Sequence, residues 1–191
     1  MAAQLENPQA LDPRIRRTRE LLKQSLIQLL ETTEFEKISV NDITDAATVN
    51  RATFYAHYPD KFALLECVVA GQFNALLAAR SVVFDGTCAS ALHGIALGVC
   101  DFLAQTPHLA CSRQPHLEPH LEAAIVAVVS KMLLQGLQQH PSAKASPELL
   151  AATISGALVG AAKQWLRSPN RSPSEQAATT ITTLAAPILS A

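Results

Sequence analysis

The segment from Ser39 to Lys61, SVNDITDAATVNRATFYAHYPDK, constrains the fold more than any other part of the chain. It reads as two short helices joined by a tight turn. Ser39 followed by Asp42 resembles a capping box, and Val40, Ile43 and Ala47 recur at helical spacing to give the first helix one apolar face. Asn50 is a second cap, opening a helix in which Phe54 and Tyr58, four residues apart, face inward. Arg51, Thr53, Tyr55 and His57 are left pointing elsewhere. That is the layout of a helix-turn-helix whose second helix enters a major groove.

The flanking sequence completes a small domain around this motif. A helix is expected from about Arg14 to Thr32, with Leu22, Leu26 and Leu29 or Leu30 on one side and Lys23, Gln24, Gln28 and Glu31 on the other. It packs on the two motif helices, with Phe35 and Ile38 closing a three-helix core. Arg14, Arg16, Arg17, Arg19 and Lys23 oppose the single Glu20 there. Such a patch can grip phosphates although the net charge is −1, a value that argues against indiscriminate nucleic-acid binding. Pro59 breaks the recognition helix and Asp60 caps the next. Phe62, Leu65, Val69, Phe73, Leu76 and Leu77 mark a connecting helix reaching about Val83.

Beyond it, apolar residues at 49% with only 5% aromatics indicate a helical bundle, so the chain is expected to be all-α. The expected domains are a disordered leader (1–13), a helix-turn-helix domain (14–59) and a helical bundle (60–191). Helices are expected over Ala89 to Gln105, Leu117 to His140, Pro147 to Arg167 and Pro173 to Leu189, with an irregular stretch around Pro107 to Pro115. Asp85-Gly86, Thr106-Pro107, His140-Pro141 and Ser168-Pro169 supply the breaks.

Several function classes lack support. The N-terminus has no basic start and apolar run of a secretory signal, and the apolar stretch Leu149 to Ala162 is shorter than the roughly 20 residues of a membrane span. A cytoplasmic protein with no membrane partner is expected. Cys67, Cys88, Cys100 and Cys111 form no C-x-x-C pair and read as reduced core residues. His108, Cys111, His116 and His120 crowd one segment, but Pro119 interrupts the helical pair and no clean ligand spacing exists, so no metal is expected. No cofactor is expected either. An enzyme with an incidental helix-turn-helix is the rival from another class, yet the chain has no nucleophile elbow, glycine-rich phosphate loop or ordered carboxylate pair.

The stretch ISVNDITDAATVNRATFYAHYPDKFALL closely resembles the DNA-binding signature of TetR/AcrR-type bacterial transcription regulators, and the basic helix before it fits as well. The resemblance covers about Arg14 to Leu65. LLAATISGALVGAAKQWLRSPNRSPSEQA is similar to the penultimate helix, linker and last helix of many members. The resemblance implies a homodimer joined through the last two helices, and an effector pocket inside the C-terminal bundle. The protein is therefore expected to be a repressor that a small molecule of unknown identity releases from a pseudo-palindromic double-stranded operator. A DNA-associated protein that recruits a partner without a ligand is the alternative.

DNA contacts are expected from Arg16, Arg17, Thr18, Asn50, Arg51, Thr53, Tyr55, His57 and Lys61. Arg51 and Thr53 lie where base edges are met, while the family pattern assigns Tyr55 and Lys61 to phosphates. His93, Cys100 and Phe102 fall in the helix that corresponds to a pocket wall, with Trp165 near the cavity or the dimer edge; an ordinary core role for them is the alternative. Leu158, Val159, Ala162, Ile181, Leu184 and Ile188 are expected at the dimer interface, where Gly156 and Gly160 suit close helix approach. One departure concerns the turn: many members place Gly where this chain has Thr48. A β-branched residue at positive φ there costs on the order of 1 kcal/mol or more.

Overall fold

A computed structural model describes residues 12–86, 88–105, 117–139 and 145–189. Among these residues the secondary structure is helical throughout, with α1 (Pro13–Thr32), a 3₁₀ turn (Phe35–Lys37), α2 (Val40–Ala47), α3 (Arg51–His57), α4 (Lys61–Ala79), α5 (Ala89–Gln105), α6 (Glu118–Leu137), α7 (Pro147–Arg167) and α8 (Ser174–Leu189). Most of the expected leader lies outside the described residues. Its last two members do not: Asp12 caps α1 by accepting from the Arg14 N–H at 2.8 Å, and Pro13 is the first helical residue, where its missing N–H costs nothing.

The chain divides into two compact units after Val68. The first therefore runs beyond the expected limit at Pro59, because residues at the start of α4 are tied to it. Lys61 donates to three carbonyls around the 3₁₀ turn, Phe62 stacks edge-on against Phe35 at 5.3 Å, and the Tyr58 hydroxyl donates to Cys67 Sγ at 3.6 Å. Its core is the expected one. Leu22, Leu26, Phe35, Ile38, Ile43, Phe54 and Tyr58 are all buried, each contributing roughly 1.5–3 kcal/mol as apolar area leaves water. α1 packs on α2, and α2 on α3.

The second unit is a bundle in which α5, α7 and α8 pack on one another and α6 packs on α7. Gly136 is required here: a Cβ on it would come within 2.5 Å of the Phe84 carbonyl oxygen, so α6 lies directly against the loop before α5. Lys163 joins α7 to α6 through Glu118, at 2.8 Å, and Glu122, and Arg167 adds a second pair to Glu118. The helix α4 ends at Ala79, earlier than expected. Its stop is a left-handed Ser81 (φ 53), with Val82 N–H on Leu77 O and Ser81 N–H on Ala78 O. This is a Schellman ending with no glycine or proline to announce it.

Of the described cysteines only Cys100 is buried, its thiol pushed up to about 11 by desolvation. Cys67 and Cys88 are half-buried, and Cys111 lies outside the described residues. Three helices, α4, α6 and α7, are long and apolar enough to cross a membrane by length and composition. The expectation that the α7 region is too short fails, because the helix extends to 21 residues by including Glu148, Lys163 and Arg167.

Candidate nucleic-acid interface

The helix-turn-helix is built by local capping. Ser39 Oγ accepts from the Asp42 N–H at 3.2 Å, while the Asp42 carboxylate accepts from the Ser39 N–H and hydroxyl, both at 2.7 Å. Those two bonds hold the Asp42 carboxyl below its usual range. The turn closes with the Val49 N–H on Thr44 O and the Thr48 N–H on Asp45 O, which places Thr48 in the left-handed region at φ 55, ψ 44. Asn50 Oδ1 then accepts from the Thr53 N–H at 2.7 Å and from its hydroxyl at 2.9 Å, a cap that stabilises α3 by about 1 kcal/mol.

With Phe54 and Tyr58 anchored inward, the exposed face of α3 consists of Arg51, Ala52, Tyr55 and Ala56, two pairs four residues apart. Ala52 and Ala56 were missed in the sequence. They carry no polar chemistry, but the inward positions of Phe54 and Tyr58 imply them by periodicity, and their small side chains allow close approach of the helix backbone to a groove. Thr53 and His57 are half-buried on the flank of this face. Burial, followed by the charge of Arg19, lowers the His57 pKa, which suits a neutral donor better than a phosphate-pairing cation.

Two of the expected DNA contacts have partners inside the protein. The Lys61 ammonium, half-buried, has three N–H bonds and donates to three carbonyls, Phe35 at 2.9 Å, Glu36 at 3.1 Å and Ile38 at 2.7 Å, while lying 4.6 Å from the Phe35 ring centroid. Its donors are fully engaged inside the protein. Thr18 is half-buried and donates its hydroxyl to Arg14 O at 3.0 Å, leaving only acceptor capacity toward a phosphate that needs a donor.

The basic helix divides in the same way. Arg19 turns toward Tyr58, with Nε 3.4 Å from the hydroxyl, and Lys23 pairs with Glu20 at 2.5 Å. Arg14, Arg16 and Arg17 remain exposed near the start of α1, whose first turn holds no acidic residue after the Asp12 cap. Cations at a helix N-terminus oppose the helix dipole at a cost of about 0.3–1 kcal/mol each. Local stability does not account for that arrangement.

In the second unit the expected pocket residues have these surroundings. His93 on α5 lies 3.3 Å from Thr179 Oγ1 and 3.7 Å from Glu175 on α8. Cys100 and Phe102 are buried, the latter edge-on to Phe73 at 5.2 Å, and Trp165 Nε1 donates to Ser172 O at 2.9 Å beneath the Arg171 guanidinium. An open cleft of about 330 Å³ is lined by Arg80, Val82, Asp85, Cys88, Ser90 and Gly94 among others, and none of the four expected residues borders it. Of the histidine-rich segment only His120 is described, and no metal-binding group of His, Cys, Asp and Glu occurs among the described residues.

The expected interface residues are largely interior. Leu158, Val159 and Ala162 are fully buried and Ile181 nearly so, within the chain's own bundle. The exposed surface of the same two helices carries Leu149, Gly156 and Gly160 on α7 and Leu184, 72% exposed, on α8; Ile188 is half-buried. A Cβ added at Gly156 or Gly160 meets nothing within 4 Å.

An exposed recognition helix capped by Asn50, a packed three-helix core behind it and an exposed arginine cluster define a helix-turn-helix protein of the DNA-binding class. Residues 26–68 match the bacterial regulatory proteins of the tetR family. A 65-residue stretch is 37% identical to an uncharacterized HTH-type transcriptional regulator, YxbF, of Bacillus subtilis strain 168, covering 34% of this chain and 17% of that protein. The fold is similar to that of the TetR-family repressor AlkX from Dietzia sp. strain DQ12-45-1b, at TM-score 0.59 and 19% identity over 90% of this chain and 95% of that one. It is also similar to RolR in complex with resorcinol, at TM-score 0.55 and 19% identity over 93% of each chain. Residues 26–68 thus carry a helix-turn-helix domain of the tetR family, and the all-helical fold of the chain is similar to that of these solved structures.

Proposed function

We propose that the protein is a cytoplasmic, homodimeric transcription repressor that a small molecule releases from a pseudo-palindromic operator. The observation that carries this reading is the exposed face of α3, with Arg51 and Tyr55 at its centre, in one compact unit with the free arginines of α1. In this reading Arg14, Arg16 and Arg17 hold phosphates, Arg51 reads a base edge, and Asn50, Thr53 and His57 contact the backbone from the flank. Two copies meet through α7 and α8, which is consistent with the exposure of Leu149 and Leu184 and the open space at Gly156 and Gly160.

The effector acts by population shift. It binds the DNA-incompetent state more tightly, by about 10⁴-fold for a nearly complete switch. An aromatic or apolar molecule is the class proposed, given the apolar interior of the second unit around Phe73, Phe102 and Cys100 and the resorcinol held by RolR. A second reading, a DNA-bound recruiter with no ligand, is favoured by the distance in kind between the described cleft, which is open and polar at Arg80, Asp85 and Ser90, and an enclosed apolar pocket.

Selection of duplexes from a random pool by the full-length protein tests the reading. The expected product is a pseudo-palindrome with half-site centres about 10–10.5 bp apart. No enrichment overturns the regulator. Enrichment without release by any member of a panel of small phenols, fatty acids and other apolar molecules supports the recruiter.

A further inference from the structure

Arg51 and Tyr55 are not two independent exposed side chains. They are one residue and the residue one turn later on α3, so their side chains share a face, and the Tyr55 ring leans back over the preceding turn. The Arg51 guanidinium donates from Nη2 to the Tyr55 hydroxyl at 3.1 Å, and its central carbon lies 5.6 Å from the Tyr55 ring centroid. Tyr55 is itself fixed from behind: its ring stands edge-on to Phe54 at 5.4 Å and 86°, and Phe54 is completely buried. A path of contacts therefore runs from the core, through the phenol, to the tip of an otherwise solvent-exposed arginine.

No acidic residue in the first turn of α3 competes for that guanidinium. A free arginine at this position samples many rotamers, and ordering it on a base costs rotamer entropy at the moment of binding. Here the phenol orders it beforehand. Only one of the five guanidinium N–H groups is engaged by Tyr55, so a two-donor edge remains for the O6 and N7 of a guanine.

We propose that Tyr55 is a positioning residue for Arg51, setting the base preference of the recognition helix rather than its general grip on DNA. The inference rests on the DNA-binding reading above and deepens it: the preferred operator base opposite Arg51 is a guanine, and the Tyr55 hydroxyl, through Arg51, determines how strongly it is preferred.

The test uses the full-length protein and the duplex it selects from a random pool. Affinities are compared for that duplex, for a copy with the Arg51-dependent guanine replaced by adenine, and for an unrelated duplex, all at one salt concentration. A bidentate arginine–guanine pair gives roughly 5- to 150-fold discrimination. Arg51→Ala is expected to abolish it. Tyr55→Phe, which keeps the ring and its packing on Phe54, is expected to reduce it about three- to tenfold, to weaken binding to the selected duplex more than to the unrelated one, and to have no further effect in the Arg51→Ala background. A thermal melt of Tyr55→Phe matching wild type accompanies these data, since a purely structural role would appear there. Equal weakening on all three duplexes, or effects of the two substitutions that add, would overturn the proposal and return Tyr55 to an independent backbone contact. Failure of the wild-type protein to select any sequence would instead overturn the DNA-binding reading beneath it.

Discussion

The Lys61 ammonium donates to the Ile38 carbonyl oxygen at 2.7 Å, and this bond joins the start of α4 to the link that enters α2. Together with the bonds to Phe35 and Glu36 it makes Lys61 an internal tie of the helix-turn-helix unit. Lys61→Met should therefore lower stability by about 1.5–3 kcal/mol, the range for hydrogen bonds to a charged group. The salt dependence of DNA binding should keep its slope. A phosphate-contacting lysine behaves in the opposite way, with little loss in a urea melt and a slope shallower by about one unit.

Thr48 should be the weak point of the turn. It sits at φ 55, where a β-branched side chain is strained by roughly 1–3 kcal/mol, while a glycine costs the folded state about 0.4–1 kcal/mol through the freer unfolded chain. Thr48→Gly should raise the urea midpoint at unchanged m-value. A lower midpoint would mean that the threonine side chain makes contacts which outweigh its strain.

His57 gives the unit a defined pH dependence. Its pKa is lowered in the folded state by burial and then by Arg19, so the unfolded chain takes up the proton first. Stability from this group is complete above the unfolded pKa of about 6.5 and falls as the pH drops from there toward the folded pKa. Denaturant melts between pH 5 and 7.5 should show a shallower acid loss for His57→Gln than for wild type. A steeper loss in the variant would reverse the assigned sign.

Burial separates two substitutions on the last helices. Leu184→Glu, on an exposed position, should leave the helical content intact and dissociate the proposed dimer, whereas Leu158→Glu places a carboxylate in the core and should unfold the second unit. Sedimentation and circular dichroism on both variants check this. A dimeric Leu184→Glu protein with full operator affinity would remove α8 from the interface.

The parts of the fold that were legible in the sequence are those with local chemical signals. The capping box at Ser39, the cap at Asn50, Pro59 with Asp60, and Pro147 each mark a boundary that the structure shares, because a cap is decided by residues three or four apart. The end of α4 was not legible, since Ser81 adopts a left-handed conformation without the glycine that usually marks one. Neither was the role of Lys61. The family pattern suggested a phosphate partner, while the carbonyls that hold its ammonium come from residues more than twenty positions earlier. Leu158 and Leu184 look alike in sequence, and only packing distinguishes the one inside the bundle from the one on its surface.

Sequence discrimination by α3 is the central claim, and a fluorescence anisotropy titration tests it most directly. Wild-type protein and a variant with Arg51, Thr53 and Tyr55 all replaced by Ala are titrated with the selected duplex and with an unrelated one at the same salt concentration. The account predicts that the variant loses its preference for the selected duplex and binds both duplexes equally, held by Arg14, Arg16 and Arg17, which are untouched. A variant that keeps the wild-type preference would contradict it.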